Sequence, residues 1–219
     1  MFSDDDTTES STPSGLAAPT LISATSSTID LQFYEVQYNG GSEITDYELF
    51  VNDCDQESEP EHNVTGYTDN DMTYQVTIGE LSSLTGGEIC TFKLRATNED
   101  GYYVESNLAT FAFADQAAQP DAVSKDDELS TDTSIYVQWD APDDTQLPGG
   151  IIRGYRLYMR KASGGTKQVV YDRTNLRSVK KYIATELEQC EDYIFSIQAY
   201  QLNGYTDESN EISLQADAS

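Results

Sequence analysis

The sequence predicts an all-β protein, two antiparallel β-sandwiches in tandem with helices nearly absent. Three observations predict it. The chain has 219 residues, long for one domain and comfortable for two of about 100 residues each. Its two halves repeat the same succession of short runs. Those runs are rich in strong β-formers, are punctuated by Gly, Asn, Asp and Ser, and never sustain a 3.6-residue period.

Taken in order, residues 1–16 read as an acidic, Ser/Thr-rich leader, flexible or part of a contact. Its first residues, Met1-Phe2-Ser3-Asp4-Asp5-Asp6, lack the basic and apolar regions of a signal peptide. Residues 17–116 read as the first sandwich and 117–219 as the second, with the boundary placed within Ala114–Pro120. Ser27-Thr28-Ile29-Asp30-Leu31-Gln32-Phe33 answers to Ser134-Ile135-Tyr136-Val137-Gln138-Trp139. Both alternate apolar and polar, as a half-buried strand does. Gly40-Gly41 through Tyr47-Glu48-Leu49-Phe50-Val51 answers to Gly149-Gly150 through Tyr155-Arg156-Leu157-Tyr158-Met159. Cys90-Thr91-Phe92-Lys93-Leu94-Arg95-Ala96 answers to Tyr193-Ile194-Phe195-Ser196-Ile197-Gln198-Ala199, and Gly101-Tyr102 through Ser106-Asn107 to Gly204-Tyr205 through Ser209-Asn210, both at an offset of 103 residues. No stretch approaches the ~18 apolar residues of a membrane-spanning helix.

The second half resembles a fibronectin type III domain. Trp139 stands on strand B, Gly149-Gly150 leads into Tyr155-Arg156-Leu157-Tyr158 on strand C, and Leu187 is followed by Tyr193. The last pair looks like that family's tyrosine corner, in which the phenol bonds back to the backbone between strands E and F. The first half departs from the pattern at three places. Phe33 replaces the tryptophan, Cys90 replaces the corner tyrosine, and Ile78–Ser82 reads as an insertion before Leu84. The resemblance implies an extracellular or cell-surface module that binds or spaces other proteins.

It also implies that Cys54, ending strand C, lies near Cys90, beginning strand F. A disulfide between them would stand in for the lost corner. Strand parity opposes it: Cys90 shares the face of Phe92 and Leu94, whereas Cys54 falls off the face of Tyr47, Leu49 and Val51, so a bulge is needed. The alternative is two buried thiols. Cys190 has no partner in either case and reads as a free or intermolecular thiol. Asn63-Val64-Thr65 is an N-glycosylation sequon, meaningful in a secreted protein.

No cofactor is expected. Asp53-Cys54-Asp55, Asp69-Asn70-Asp71 and Asp126-Asp127-Glu128 lack the loop that brings six to eight oxygens onto calcium, so at most weak Ca2+ binding by acidic loops is expected. The best of these groups is Asp121, Asp126 and Asp127, placed in the linker. Catalysis is not expected either. The single histidine, His62, sits in an acidic loop with no nucleophile motif beside it. Neither a Gly-x-Ser-x-Gly elbow nor a phosphate-binding glycine loop is present.

Charge is unevenly divided. Residues 1–116 hold 22 acidic and two basic residues, a net −20, and residues 117–219 hold 17 and ten, a net −7, which sum to the overall −27. Such a chain is not drawn to nucleic acid or anionic membranes. Nine of the second half's ten basic residues lie between Arg153 and Lys181: Arg153, Arg156, Arg160, Lys161, Lys167, Arg173, Arg177, Lys180 and Lys181, with only Asp172 opposing them in that span. They read as a basic contact patch, complementary to the acidic first half of a second copy. Three roles follow. One is a structural repeat unit of a surface or filamentous protein that assembles by self-association. The second is an adhesion or receptor module for another surface protein or a glycan. The third is a passive spacer. For recognition, the B–C and F–G loops offer Tyr102 and Tyr103 as exposed aromatic anchors.

Overall fold

The computed structural model describes residues 9–55, 58–67, 72–81, 85–144 and 147–216. The chain divides into two units, Met1–Ala114 and Asp115–Ser219. Asp69-Asn70-Asp71 and Leu84 lie outside the described residues.

In the first unit β1 (Thr20–Ala24), β2 (Thr28–Gln32) and β5 (Thr73–Thr77) form an antiparallel sheet in the order β1-β2-β5. The facing sheet is built on β3 (Ile44–Val51) and β6 (Ile89–Asn98), with β4 (His62–Tyr67) on the outer edge of β3. β7 (Tyr103–Glu105) and β8 (Ala109–Ala112) successively line the other edge of β6. Alternation decides which side chains go inside. Along β6, Cys90, Phe92, Leu94 and Ala96 are buried while Lys93 and Arg95 stay outside. They meet Leu49 and Val51 of β3 and Ile29, Leu31 and Val76 of the other sheet. Phe33 occupies the place of the missing tryptophan and is fully buried.

The second unit repeats the plan. β9 (Ser124–Thr131), β10 (Ser134–Gln138) and β13 (Lys181–Ala184) form one sheet, ordered β13-β10-β9. β12 (Gln168–Arg173), β11 (Gly154–Lys161) and β14 (Asp192–Gln201) form the other, with β15 (Gly204–Tyr205) and β16 (Ile212–Gln215) on the far edge of β14. Its core gathers Val137, Trp139, Tyr155, Leu157, Phe195 and Ile197. Trp139 meets Tyr155 and Tyr171 edge to face, at 5.6 and 5.7 Å.

The Ser-Asn repeat has a structural reason. In each unit the last strand breaks in two, and the serine bridges the break. Ser106 Oγ accepts from Leu94 N–H at 3.0 Å while Ser106 N–H donates to Leu94 O. Ser209 does the same with Ile197. The tyrosine corner is likewise formed. Tyr193 is buried, and its hydroxyl accepts from Glu188 N–H at 3.0 Å beside buried Leu187.

Residues 11–16 follow the contact alternative for the leader: Ser14 pairs with Tyr38, Pro13 is buried, and Leu16 joins the first core. Three further expectations are refined or changed. Ile78–Glu80 is a single 3-10 turn whose Ile78 packs on that core, so the extra residues begin as a structured turn. Asp126 and Asp127 belong to β9 rather than to a linker. His62 opens β4 instead of lying in a loop.

Tyr193→Phe removes the corner hydrogen bond and leaves Glu188 N–H without its partner. Chemical denaturation of the second unit should show a loss of about 1–2 kcal/mol.

Candidate functional site

The first unit's B–C loop, between β2 and β3, and its F–G turn, between β6 and β7, are locked together by one buried side chain. Asn98, the last residue of β6, is almost fully buried. Its Nδ2 donates to Asn39 O at 3.2 Å and to Ser11 O at 3.1 Å, and its Oδ1 accepts from Tyr102 N–H at 3.0 Å. One amide thus binds the B–C loop, the F–G turn and the entering N-terminal segment. Glu99 N–H donates to Glu43 O at 2.8 Å alongside it. Gly40 is required by both space and conformation. Its φ is +82°, and a Cβ there would stand 1.9 Å from Ser11 O.

This end of the unit presents Tyr38 and Tyr102, each about half exposed, among Glu35, Glu43, Glu99 and Asp100. The hydroxyls of Ser42 and Ser10 hold Asp100 below the usual carboxylate range. A groove of about 800 Å3 runs beside it, lined by the B–C loop, the start of β3 and Met72. Tyr103 starts β7 instead, its ring 4.6 Å from the guanidinium of Arg95, which also lies 4.7 Å from the ring of Phe50. Glu105 accepts from Arg95 Nη2 at 2.7 Å and from Lys93 Nζ at 3.1 Å, and the Arg95 bond lowers its pKa. The first unit's two cations are therefore consumed on the outer sheet face.

Gln201 is the counterpart of Asn98, 103 residues on. It ends β14, is buried, accepts from Ala117 N–H at 2.7 Å and donates to Gly150 O. The repeat alignment sets these two amides opposite each other, which is the signal that could have found them. A polar residue at a strand end is otherwise unremarkable in a sequence.

At the opposite end of β6, Cys90 is disulfide-bonded to Cys54. The parity objection lapses because β3 ends at Val51 and Cys54 lies beyond it, at φ +58°. Asn52 shapes that turn: its Oδ1 accepts from Cys54 N–H at 3.0 Å and from Thr91 N–H at 2.9 Å. Both sulfurs are buried in the first core. Cys190 is an exposed free thiol at φ +61°.

The basic residues of the second unit are less available than their sequence clustering implies. Arg156 and Arg160 do face outward from β11, but carboxylates distant in sequence answer them. Arg156 donates to Asp172 at 2.9 and 2.7 Å and lies 4.0 Å from the ring of Tyr205. Arg160 pairs with Glu211 at 2.8 Å, Lys161 with Glu188, and Lys167 with Glu208 and Glu211. Arg173 donates to Asp172 O at 2.8 Å, and Lys181 lies 5.9 Å from the ring of Tyr136. Arg153, Arg177 and Lys180 form no ion pair with the described residues. Carboxylates thus answer four of the nine, Arg160 and Lys167 because the segment before β16 brings Glu208 and Glu211 beside β11, while Arg173 and Lys181, like Arg153, Arg177 and Lys180, form no ion pair with the described residues.

Among the described residues no group of three or more His, Cys, Asp or Glu side chains could hold a metal ion. Asp126 Oδ1 instead accepts from Glu128 and Leu129 N–H, Asp127 pairs with Lys125, and His62 meets Asp53 at 2.6 Å on the surface. No helix is long and apolar enough to cross a membrane.

Residues 126–215 match the family model of the fibronectin type III domain. Among solved structures, the FN1–FN3 domains of chicken CNTN1 share 16% identity and a TM-score of 0.51, covering 96% of this chain and 70% of that one. A structure described as a myokine covers 47% of this chain and 99% of its own, at 16% identity and a TM-score of 0.39. No curated protein matches the sequence. The second unit carries the fibronectin type III domain, and the chain as a whole has the fold of such sandwiches in series.

Two outcomes follow. The Cys54–Cys90 bond closes a loop of 36 residues. Replacing both cysteines by alanine should cost the first unit about 3–4 kcal/mol by the chain-entropy relation, measured by denaturant midpoint. In the second unit burial, and then the hydrogen bond donated to Asp172, raise the Tyr205 pKa from 10.0 to about 12. The unfolded chain loses this proton near pH 10, so the associated stability is present below that pH and disappears as pH rises to about 12. Ultraviolet titration of tyrosinate should show one late phenol fewer in Tyr205→Phe.

Proposed function

We propose that this chain is an extracellular structural and interaction module, a repeat unit of a surface or filamentous protein that assembles by protein–protein contacts. Its working surface in this reading is the loop end of the first unit. The observation that carries it is the Asn98 lock, which fixes the B–C and F–G loops and holds Tyr38 and Tyr102 exposed on an acidic rim. A loop end held rigid by a buried amide loses little entropy when a partner docks, and exposed tyrosines supply contact area at small rotamer cost. The extracellular setting is supported by the Cys54–Cys90 disulfide, a bond that persists in oxidising compartments.

The partner has a cationic face. A second copy supplies one through Arg177 and Lys180, which stand on the connection between β12 and β13 without an ion pair to the described residues. Association of this kind weakens as salt shortens the screening length to about 8–10 Å and below.

Light scattering of the purified chain across a salt series tests the reading. The expected result is a multimer at low salt that dissociates at high salt and is abolished by Arg177→Glu with Lys180→Glu, or by Tyr38→Ala with Tyr102→Ala. A monomer at every salt concentration removes self-association and turns the search to other cationic surface proteins. A partner captured equally well by wild type and by the two-tyrosine variant overturns the loop-end surface.

A further inference from the structure

Asn63-Val64-Thr65 is the one Asn-x-Ser/Thr triplet in the chain, and the fold puts its asparagine where a large substituent fits. Asn63 is the second residue of β4, extended and exposed, while Val64 packs on the core side. Among the described residues β4 pairs with β3 alone and stands at the edge of its sheet. Asn63 stands across from Phe50 on the outer face, and its Nδ2 donates to Glu48 Oε1 at 2.7 Å.

We propose that Asn63 is an N-glycosylation site, used as the chain passes through a secretory compartment. The donor is a lipid-linked oligosaccharide pyrophosphate. The Asn63 Nδ2–C1 bond to the first sugar forms, the C1–O bond to pyrophosphate breaks, and the displaced amide proton leaves through the transferase base. The substituted amide keeps one N–H, enough to retain the hydrogen bond to Glu48. Two consequences follow from position. The oligosaccharide covers the edge of the sheet at β4, where it hinders strand-to-strand association. It also leaves the loop end clear, because Phe50 is six residues along β3 from Ile44, about 20 Å at the usual strand rise. The proposal shares with the functional reading only the extracellular setting.

The chain, fused to a secretion signal and recovered from the medium of cultured eukaryotic cells, is measured by intact mass before and after peptide-N-glycosidase. The expected result is a mass loss on digestion with Asn63 converted to Asp. Asn63→Gln and Thr65→Ala should abolish it, while Thr65→Ser, which preserves the acceptor hydroxyl, should retain it. Mapping the Cys54–Cys90 bond in the same sample separates the two readings. A secreted chain with that bond formed but of unmodified mass overturns the glycan site and leaves the extracellular reading standing.

Discussion

Each sandwich depends on the antiparallel pairing of its two central strands, β3 with β6 and β11 with β14. The register sets Leu49 against Leu94 and Val51 against Phe92 in the first unit, and Leu157 against Ile197 in the second. Once that register is taken, one face of each pair becomes a continuous apolar wall, and a slip of one residue would turn it to solvent. The three-stranded sheet closes over that wall with Ile29, Leu31 and Val76, or with Ile135 and Val137. The edge strands add to it without altering it. The pairing of β3 with β4 shifts register at Leu49/Phe50, and that of β11 with β12 at Leu157/Tyr158, so the two units share even that irregularity.

The long β6 and β14 strands then need their ends held, and the two units solve this with different chemistry at one end and similar chemistry at the other. At the start of the strand the second unit uses a phenol bonded to Glu188 N–H, and the first uses a disulfide at the same repeat position. The two devices act on different states: the hydrogen bond stabilises the native backbone, whereas in the chain-entropy view the covalent bond restricts the unfolded chain. At the finish, both units use a buried carboxamide, Asn98 or Gln201, to hold the B–C loop and the entering segment. A carboxamide suits the position because it donates and accepts at once and carries no charge to desolvate.

Electrostatics divides the units more than the fold does. The first unit has few cations, and those it has are enclosed by Glu105, Phe50 and Tyr103. Residues 1–116 carry a net −20, a charge that favours cationic partners and keeps like copies of the unit apart. In the second unit the outer sheet face forms a ladder of Asp172, Arg156, Tyr205, Arg160, Glu211 and Lys167. Pairs of this exposure each contribute little to stability. Their larger effect is to withdraw Arg156, Arg160 and Lys167 from outside recognition.

Strand positions, inward residues and the repeat were legible in the sequence because they follow from alternation over five to ten residues, a local property. The tyrosine corner was legible because Leu187 and Tyr193 lie close in sequence. The Cys54–Cys90 pairing was only half legible: topology brought the strands together, but the parity of β3 does not extend past Val51, where a left-handed turn re-aims the side chain. The detailed packing of residues 11–16, the Asn98 lock and the pairing of Arg160 and Lys167 with Glu208 and Glu211 were out of reach. Ser11 meets Asn98 across 87 residues and Arg160 meets Glu211 across 51. Nothing in the local pattern of either partner specifies such contacts. They arise when long-range strand pairing closes the sandwich and sets distant segments side by side.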